Sequence, residues 1–185
     1  MTTTAPEIPG YKAGTWQLDA SHSDIGFRVR HMMVSKVRGK FTDVSATLTT
    51  AEDLTASAVT VEVQLASIDT GNEQRDGHLR SPDFFGTDEN PTMTYRSSGL
   101  QADGDKWVLD GELTLKGVTK SVPLTFELDG FGPDAYGGYR AGFSGRAEIN
   151  RQDFGVSWNE KIEGGGLIVS DKVLIEIEAE FVLQS

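Results

Sequence analysis

Apolar and polar residues alternate along much of the chain with the period of two that is typical of half-buried β-strands. In residues 23–31, Ile25, Phe27, Val29 and His31 share one face. The same alternation recurs in four further segments, residues 59–65, 107–115, 122–128 and 173–183. Weaker strands fit residues 41–49, 92–98 and 139–150, so the pattern predicts about eight strands.

Helical content is expected to be low. Residues 71–80 lack the alternation and carry good helix formers, which predicts one short helix that ends before Ser81 and Pro82, with a second helical turn near residues 83–85. Long antiparallel strands with one apolar face close as a barrel or stack as a sandwich, and alternation does not separate the two. Residues 1–13 are interpreted as a flexible arm before one domain, residues 14–185.

Charge and composition narrow the function classes. The formal net charge is -11, which disfavours binding to nucleic acid. The chain has no cysteine, so disulfides and thiolate chemistry are excluded. Residues 1–11 lack the basic and apolar regions of a signal peptide, so we expect a cytoplasmic protein. No apolar run approaches the ~18 residues of a membrane-spanning helix, so stable membrane insertion is not expected.

Several motifs follow one another in order along one domain. They are WQLDASHSDIGFRVRH at residues 16–31, VRGKF at 37–41, SIDTGNEQRDGHLRSPDFF at 67–85, NPTMTY at 90–95, GELTLKGVTKSV at 111–122, NRQDFGV at 150–156 and VSDKVLIEIEAE at 169–180. On these motifs the sequence resembles the YceI-like family from Trp16 to Phe181. A series of motifs is far more specific than any one of them.

The resemblance implies an all-β fold, a single antiparallel eight-stranded lipocalin-like barrel with one or two short helices. It also implies binding of a long-chain apolar ligand, a polyisoprenoid or isoprenoid quinone, for storage, transport or sequestration, with no catalysis and no cofactor. Members of the family are often periplasmic or secreted, whereas this chain shows no signal peptide. A homodimer is compatible with exposed strand edges.

The candidate ligand-binding residues are apolar side chains on the inner strand faces and near the short helix. They are Phe27, Val29, Phe41, Val61, Val63, Phe84, Phe85, Met93, Tyr95, Leu113, Leu115, Leu124, Phe126 and Phe143. His31, His78 and Arg80 are candidates for a polar mouth that holds a headgroup. Alternation shows which residues share a face, and each apolar residue is equally compatible with ordinary core packing.

The sequence disfavours three other kinds of site. Ser21, His22 and Asp24 have the residue types of a catalytic triad, but Ser21 lies on the other strand face from the other two. The three histidines lack the spacing of a metal site. Gly164–Gly166 fits a glycine-rich turn or a flap over a cavity entrance rather than a phosphate loop.

The alternative functions are an enzyme acting on a lipid or isoprenoid and a broad scavenger of lipophilic compounds in stress.

Overall fold

The computed structural model describes residues 8–32, 34–159 and 168–184. Within these ranges the chain forms twelve β-strands and one α-helix. The strands are β1 (Gly14–Leu18), β2 (Asp24–His31), β3 (Ser35–Phe41), β4 (Val44–Thr50), β5 (Ala58–Gln64), β6 (Ile68–Asp69), β7 (Thr92–Asp103), β8 (Lys106–Leu115), β9 (Val118–Ser121), β10 (Leu124–Pro133), β11 (Tyr139–Asn150) and β12 (Val169–Leu183). The helix is α1 (Glu73–Arg80).

Eight strands close into an antiparallel barrel in the order β1-β4-β5-β7-β8-β10-β11-β12. The short strand β1 completes the ring because it pairs with β4 on one side and with the end of β12 on the other. Trp16, in the middle of β1, lies opposite Leu48 of β4 and Leu183 of β12. The predicted eight-stranded barrel is therefore confirmed.

The other strands extend this ring. The first part of β12 pairs with β2, β2 pairs with β3, and β3 pairs with β6. After residue 115 a hairpin joins β8 to the short strand β9 rather than directly to the next long strand. Pro123 follows β9 and has no N–H for a ladder hydrogen bond, and β10 begins after it at Leu124.

The period-two pattern corresponds to the inner and outer barrel faces. In β12, Ile175, Ile177 and Phe181 pair with the inward residues Ala147, Gly145 and Ala141 of β11. The glutamates between them, Glu176, Glu178 and Glu180, lie on the other face. Burial of the apolar face drives closure of the sheet, at roughly 25 cal/mol per Å² of apolar surface removed from water.

Helix α1 starts two residues later than the segment predicted from sequence. Asn72 is its N-cap and accepts a hydrogen bond from the Arg75 N–H at 3.0 Å. The helix ends at Arg80, before Ser81 and Pro82, as the sequence predicts. Asp76 is buried and accepts a hydrogen bond from the Thr70 N–H, which ties the helix to the strand segment before it.

A dense apolar cluster, the helix-end plug, fills the barrel end beside α1. Its buried members are Leu65, Phe84, Leu113, Leu115, Val122, Ala147, Phe154 and Val156. The buried Arg151 guanidinium holds this end together because it donates to the carbonyl oxygens of Val156 at 2.6 Å and Trp158 at 2.9 Å, and to that of Ser170 at 2.9 Å. These bonds satisfy a cation that burial would otherwise strongly destabilise.

The opposite end is covered by the described part of the N-terminal segment. Ile8 and Tyr11 pack on a cluster formed by Leu54, Leu100 and Trp107. Among the described residues, no helix is long and apolar enough to cross a membrane. The domain boundary near residue 14 stays a prediction.

Candidate ligand-binding cavity

An internal cavity of about 190 Å³ lies between the two ends of the barrel. Each of the eight barrel strands contributes to its wall, and β1 does so only through Leu18 at its end. Seven aromatic residues stand among many aliphatic ones: Tyr11, Tyr95, Trp107, Phe126, Phe131, Phe143 and Phe181. No histidine, lysine, arginine, aspartate or glutamate of the described chain lines it. The space is therefore suited to hydrocarbon.

Tyr95 places a hydroxyl at the cavity wall, but this hydroxyl is hydrogen-bonded to the backbone. Its Oη donates to the carbonyl oxygen of Val122 at 2.8 Å. The ring lies over Gly111 of the neighbouring strand, where a Cβ atom would come within 2.4 Å of the ring. Burial, with a contribution from the charge of Asp110, raises the pKa of Tyr95 to about 12. The side chain is therefore neutral at physiological pH and acts as wall.

Two further hydroxyls of the wall are bonded in the same way. Thr50 Oγ1 accepts from Trp16 Nε1 at 2.8 Å and donates to the Lys12 carbonyl oxygen at 2.8 Å. Tyr11 Oη donates to the carbonyl oxygen of Ala51 at 2.5 Å. Because these hydroxyl protons are used within the protein, they are not free for a ligand inside the cavity.

Eight of the residues predicted from sequence line this cavity: Val61, Val63, Met93, Tyr95, Leu113, Leu124, Phe126 and Phe143. Others lie away from it. Leu115 and Phe84 are buried in the helix-end plug, and Phe41 and Phe85 pack against it. Phe27 contacts the ring of Phe41 at 5.8 Å between centroids. Val29 faces inward further along β2, paired with Val37 and Val173.

The three polar residues predicted at a mouth also lie outside the cavity wall. Arg80 Nε donates to the carbonyl oxygen of Ala66 at 2.9 Å and thereby ties α1 to the turn before β6. His78 Nε2 lies 2.9 Å from Asp83 Oδ2, and its ring packs edge-on against Phe84 and Trp158. His31 ends β2 opposite Ser35. Gly164–Gly166, the predicted turn or flap, lies outside the described residues.

Several wall residues were not singled out from the sequence. Trp107, Leu109, Ile175, Ile177, Ala179 and Phe181 all line the cavity. Their strands show the clearest alternation in the chain, so the signal for an inner face was present. Alternation does not give the height of each residue along the barrel axis, which distinguishes the cavity wall from the plug except at their border, where residues such as Leu113 and Ala147 belong to both.

A polar cluster occupies the outer surface near β1 and the end of β12. The Arg140 guanidinium bonds Asp19 Oδ2 at 2.7 Å and Asp134 Oδ2 at 2.8 Å, and its Nη1 lies 3.3 Å from Glu180 Oε2. Hydrogen bonds from Arg140, Ser21 and His22 hold the pKa of Asp19 well below its usual range. The cluster joins the turn after β1 to β11 and β12.

This cluster includes Ser21, His22 and Asp19, yet it lacks the geometry of a triad. Ser21 Oγ and Asp19 Oδ2 both approach the same ring nitrogen, His22 Nδ1, at 3.2 and 2.8 Å. A triad needs the nucleophile and the carboxylate on different nitrogens of the imidazole. The carboxylates that face His22 are also engaged by Arg140, which supplies the positive charge a metal would bring.

Comparison with known proteins identifies one family, by a sequence model and by individual relatives. A sequence model of the YceI-like domain matches residues 16–181. The UPF0312 protein plu2095 of Photorhabdus laumondii is 40% identical over 169 residues, which cover 90% of this chain and 86% of the relative.

Solved structures share the barrel. The YCEI protein of Campylobacter jejuni is 32% identical, with a TM-score of 0.72 over 91% of this chain and 97% of that one. A polyisoprenoid binding domain from Saccharophagus degradans is 17% identical, with a TM-score of 0.67 over 94% of this chain and 100% of that one. The second likeness shows the fold alone.

Replacement of Tyr95 by phenylalanine tests its role in the wall. We expect Tyr95→Phe to lower the free energy of unfolding by about 1–3 kcal/mol at pH 7, because the Val122 carbonyl loses its donor. The raised pKa favours the neutral form in the folded state, so wild-type stability falls as pH rises above ~10. Urea denaturation should show the difference between the two proteins shrinking from pH 10 to 12. A constant difference would contradict this account.

Replacement of Asp19 by asparagine tests the outer cluster. Because the folded-state pKa of Asp19 is depressed, its charge stabilises the fold above the unfolded pKa of ~3.9 and loses that effect as pH falls further. We expect Asp19→Asn to cost roughly 1–3 kcal/mol at pH 7 and progressively less below pH ~4. Urea denaturation across this pH range measures the change, and an equal cost at every pH would refute the ionic role.

Proposed function

Because the chain belongs to the YceI-like family, we propose that its barrel binds the hydrocarbon part of a lipid, specifically of a polyisoprenoid, in the internal cavity. The cavity wall carries this proposal, since aliphatic and aromatic side chains form almost all of it. The structural neighbour from Saccharophagus degradans is described as a polyisoprenoid binding domain, which favours the same ligand class.

The hydrogen bonding of the wall limits what part of a lipid enters. The protons of the Tyr11, Thr50 and Tyr95 hydroxyls are donated to backbone carbonyls. A headgroup drawn into this space would lose its water and gain few partners, which is strongly unfavourable. The ligand therefore inserts its hydrocarbon end and keeps its polar end outside the cavity.

The size of the cavity limits the length of chain that it holds. Pockets that enclose a drug-sized ligand typically measure roughly 300–1,000 Å³, whereas this cavity measures about 190 Å³. It takes only part of a polyisoprenoid without side-chain rearrangement. A prenyl chain in a bilayer is already removed from water, so burial alone does not extract it. Discrimination among lipids therefore rests on the shape of the wall.

The proposed role is that of a binding protein, in storage, transport or sequestration, rather than an enzyme. The cavity wall offers no acid–base pair or activated nucleophile among the described residues. The serine, histidine and aspartate that do meet lie on the outer surface with the wrong geometry for a triad.

Two valines provide a matched test, because both were predicted from sequence and only one lines the cavity. Val61 lies on β5 opposite Tyr95 and contributes to the wall, whereas Val29 faces inward on β2 outside it. The larger side chain of Val61→Trp should occupy the space of about two or three methylene groups of the ligand. Binding of a polyprenol should therefore weaken about 10- to 100-fold. Val29→Trp should bind as the wild type does.

The measurement is native mass spectrometry of each variant titrated with a polyprenol, after circular dichroism has shown that both variants are folded. Val61→Ala serves as a second control, since a larger cavity should still bind. Equal affinities for the two tryptophan variants would reject this cavity as the binding site.

A further inference from the structure

Positive charge is concentrated in one hairpin of this acidic protein. Five of the 17 lysines and arginines lie within residues 28–40, and residues 25–42 contain no aspartate or glutamate. The formal net charge of the whole chain is -11. Strands β2 and β3 form this segment, which we term the basic hairpin.

The strand register places the five cations on one face of the basic hairpin. Arg28 lies directly opposite Arg38, and Arg30 lies directly opposite Lys36. Like charges in opposed positions of an antiparallel pair are destabilising. The inward residues of the same strands, such as Phe27 and Val37, follow the ordinary apolar pattern, so the outer face alone departs from it. A departure of this kind is expected where a surface has a partner.

At the base of the hairpin an ion pair neutralises Arg28, and an acidic residue lies opposite Lys40 in the sheet. Arg28 Nη2 lies 2.9 Å from Glu176 Oε1, and Lys40 is opposite Asp69 in the β3–β6 register. Arg30, Lys36 and Arg38 are exposed and form no ion pair with any residue that the structure describes. The outer part of the hairpin thus presents three unneutralised cations to solvent.

The tip of the hairpin is apolar. Val34 is 87% exposed and Met32 is 41% exposed, which makes them two of the three large apolar side chains that stand exposed on the described chain. Apolar side chains beside lysine and arginine are typical of segments that lie in a membrane interface, where the apolar groups enter the acyl boundary and the cations meet anionic headgroups. A surface for a nucleic acid needs the cations and no apolar tip.

We propose that the basic hairpin docks the protein on the surface of an anionic lipid bilayer, with Met32 and Val34 at the acyl boundary. The overall negative charge does not prevent this, because charges further than a Debye length of ~8 Å are largely screened at physiological salt. Ile25, on the same strand as the cations, lines the cavity. At ~3.3 Å per residue, docking holds that part of the wall about 23 Å from the tip.

The docking surface stands without the ligand proposed for the cavity, and its test is separate. The probe is a phosphatidylcholine vesicle with or without phosphatidylglycerol, containing no isoprenoid lipid, and the readout is cosedimentation. Each cation near an anionic surface strengthens binding about fivefold. The triple variant Arg30→Glu, Lys36→Glu, Arg38→Glu should therefore bind the anionic vesicles at least about 100-fold more weakly than the wild type.

A matched control carries the same change in net charge elsewhere. Lys12→Glu, Arg96→Glu, Lys120→Glu replaces three exposed cations outside the hairpin, and this protein should retain most of the binding. Val34→Ser changes no charge and should weaken binding through loss of the apolar tip alone. Binding of the wild type should also fall as salt increases.

Three outcomes would overturn the proposal. They are a wild type that does not bind anionic vesicles, equal losses in the hairpin variant and the control variant, and binding to a polyanion such as heparin without binding to vesicles. The last outcome would indicate a polyanionic macromolecule as partner. Polyprenol binding by the same proteins, measured in solution, shows separately whether the cavity functions.

Discussion

The short strand β1 closes the sheet into a ring, and the enclosed interior exists only because of this closure. This strand has five residues, yet it pairs with β4 on one side and β12 on the other. Trp16 at its centre is fully buried, and its indole N–H is satisfied by Thr50. If β1 were absent, strand β4 and the end of strand β12 would present open edges, and the inner apolar face would be exposed to water.

Once the ring is closed, its interior must be filled, and the sequence fills it unevenly. Leu65, Phe84 and Phe154 close the helix end, and Tyr11 with Trp107 contributes to the cover at the other. The space between them is left unfilled. Close packing is the rule for protein interiors, so an apolar cavity of about 190 Å³ has a cost in lost contacts, and that cost is consistent with a site for a ligand.

Alternation predicted the strands and the side of each strand that faces inward, whereas the barrel was implied by the resemblance to the YceI-like family. The sequence predicted the cavity wall only in part. Val61 and Leu115 carry the same signal, yet one lines the cavity and the other lies in the plug, because alternation defines a face and not a height along the barrel. The partners of His78 and Arg80 depend on how α1 packs, which residue type does not reveal. The basic hairpin was not predicted, because the net charge is a sum over the whole chain and does not show where along it the positive charges lie.

The ligand proposed for the barrel is a prenyl lipid, whose hydrocarbon would occupy the cavity. The most direct test is extraction and identification of the lipid that remains with the protein after purification without detergent. We expect a prenyl species close to one equivalent per chain. An empty protein that also fails to take up added polyprenyl lipids would contradict this proposal.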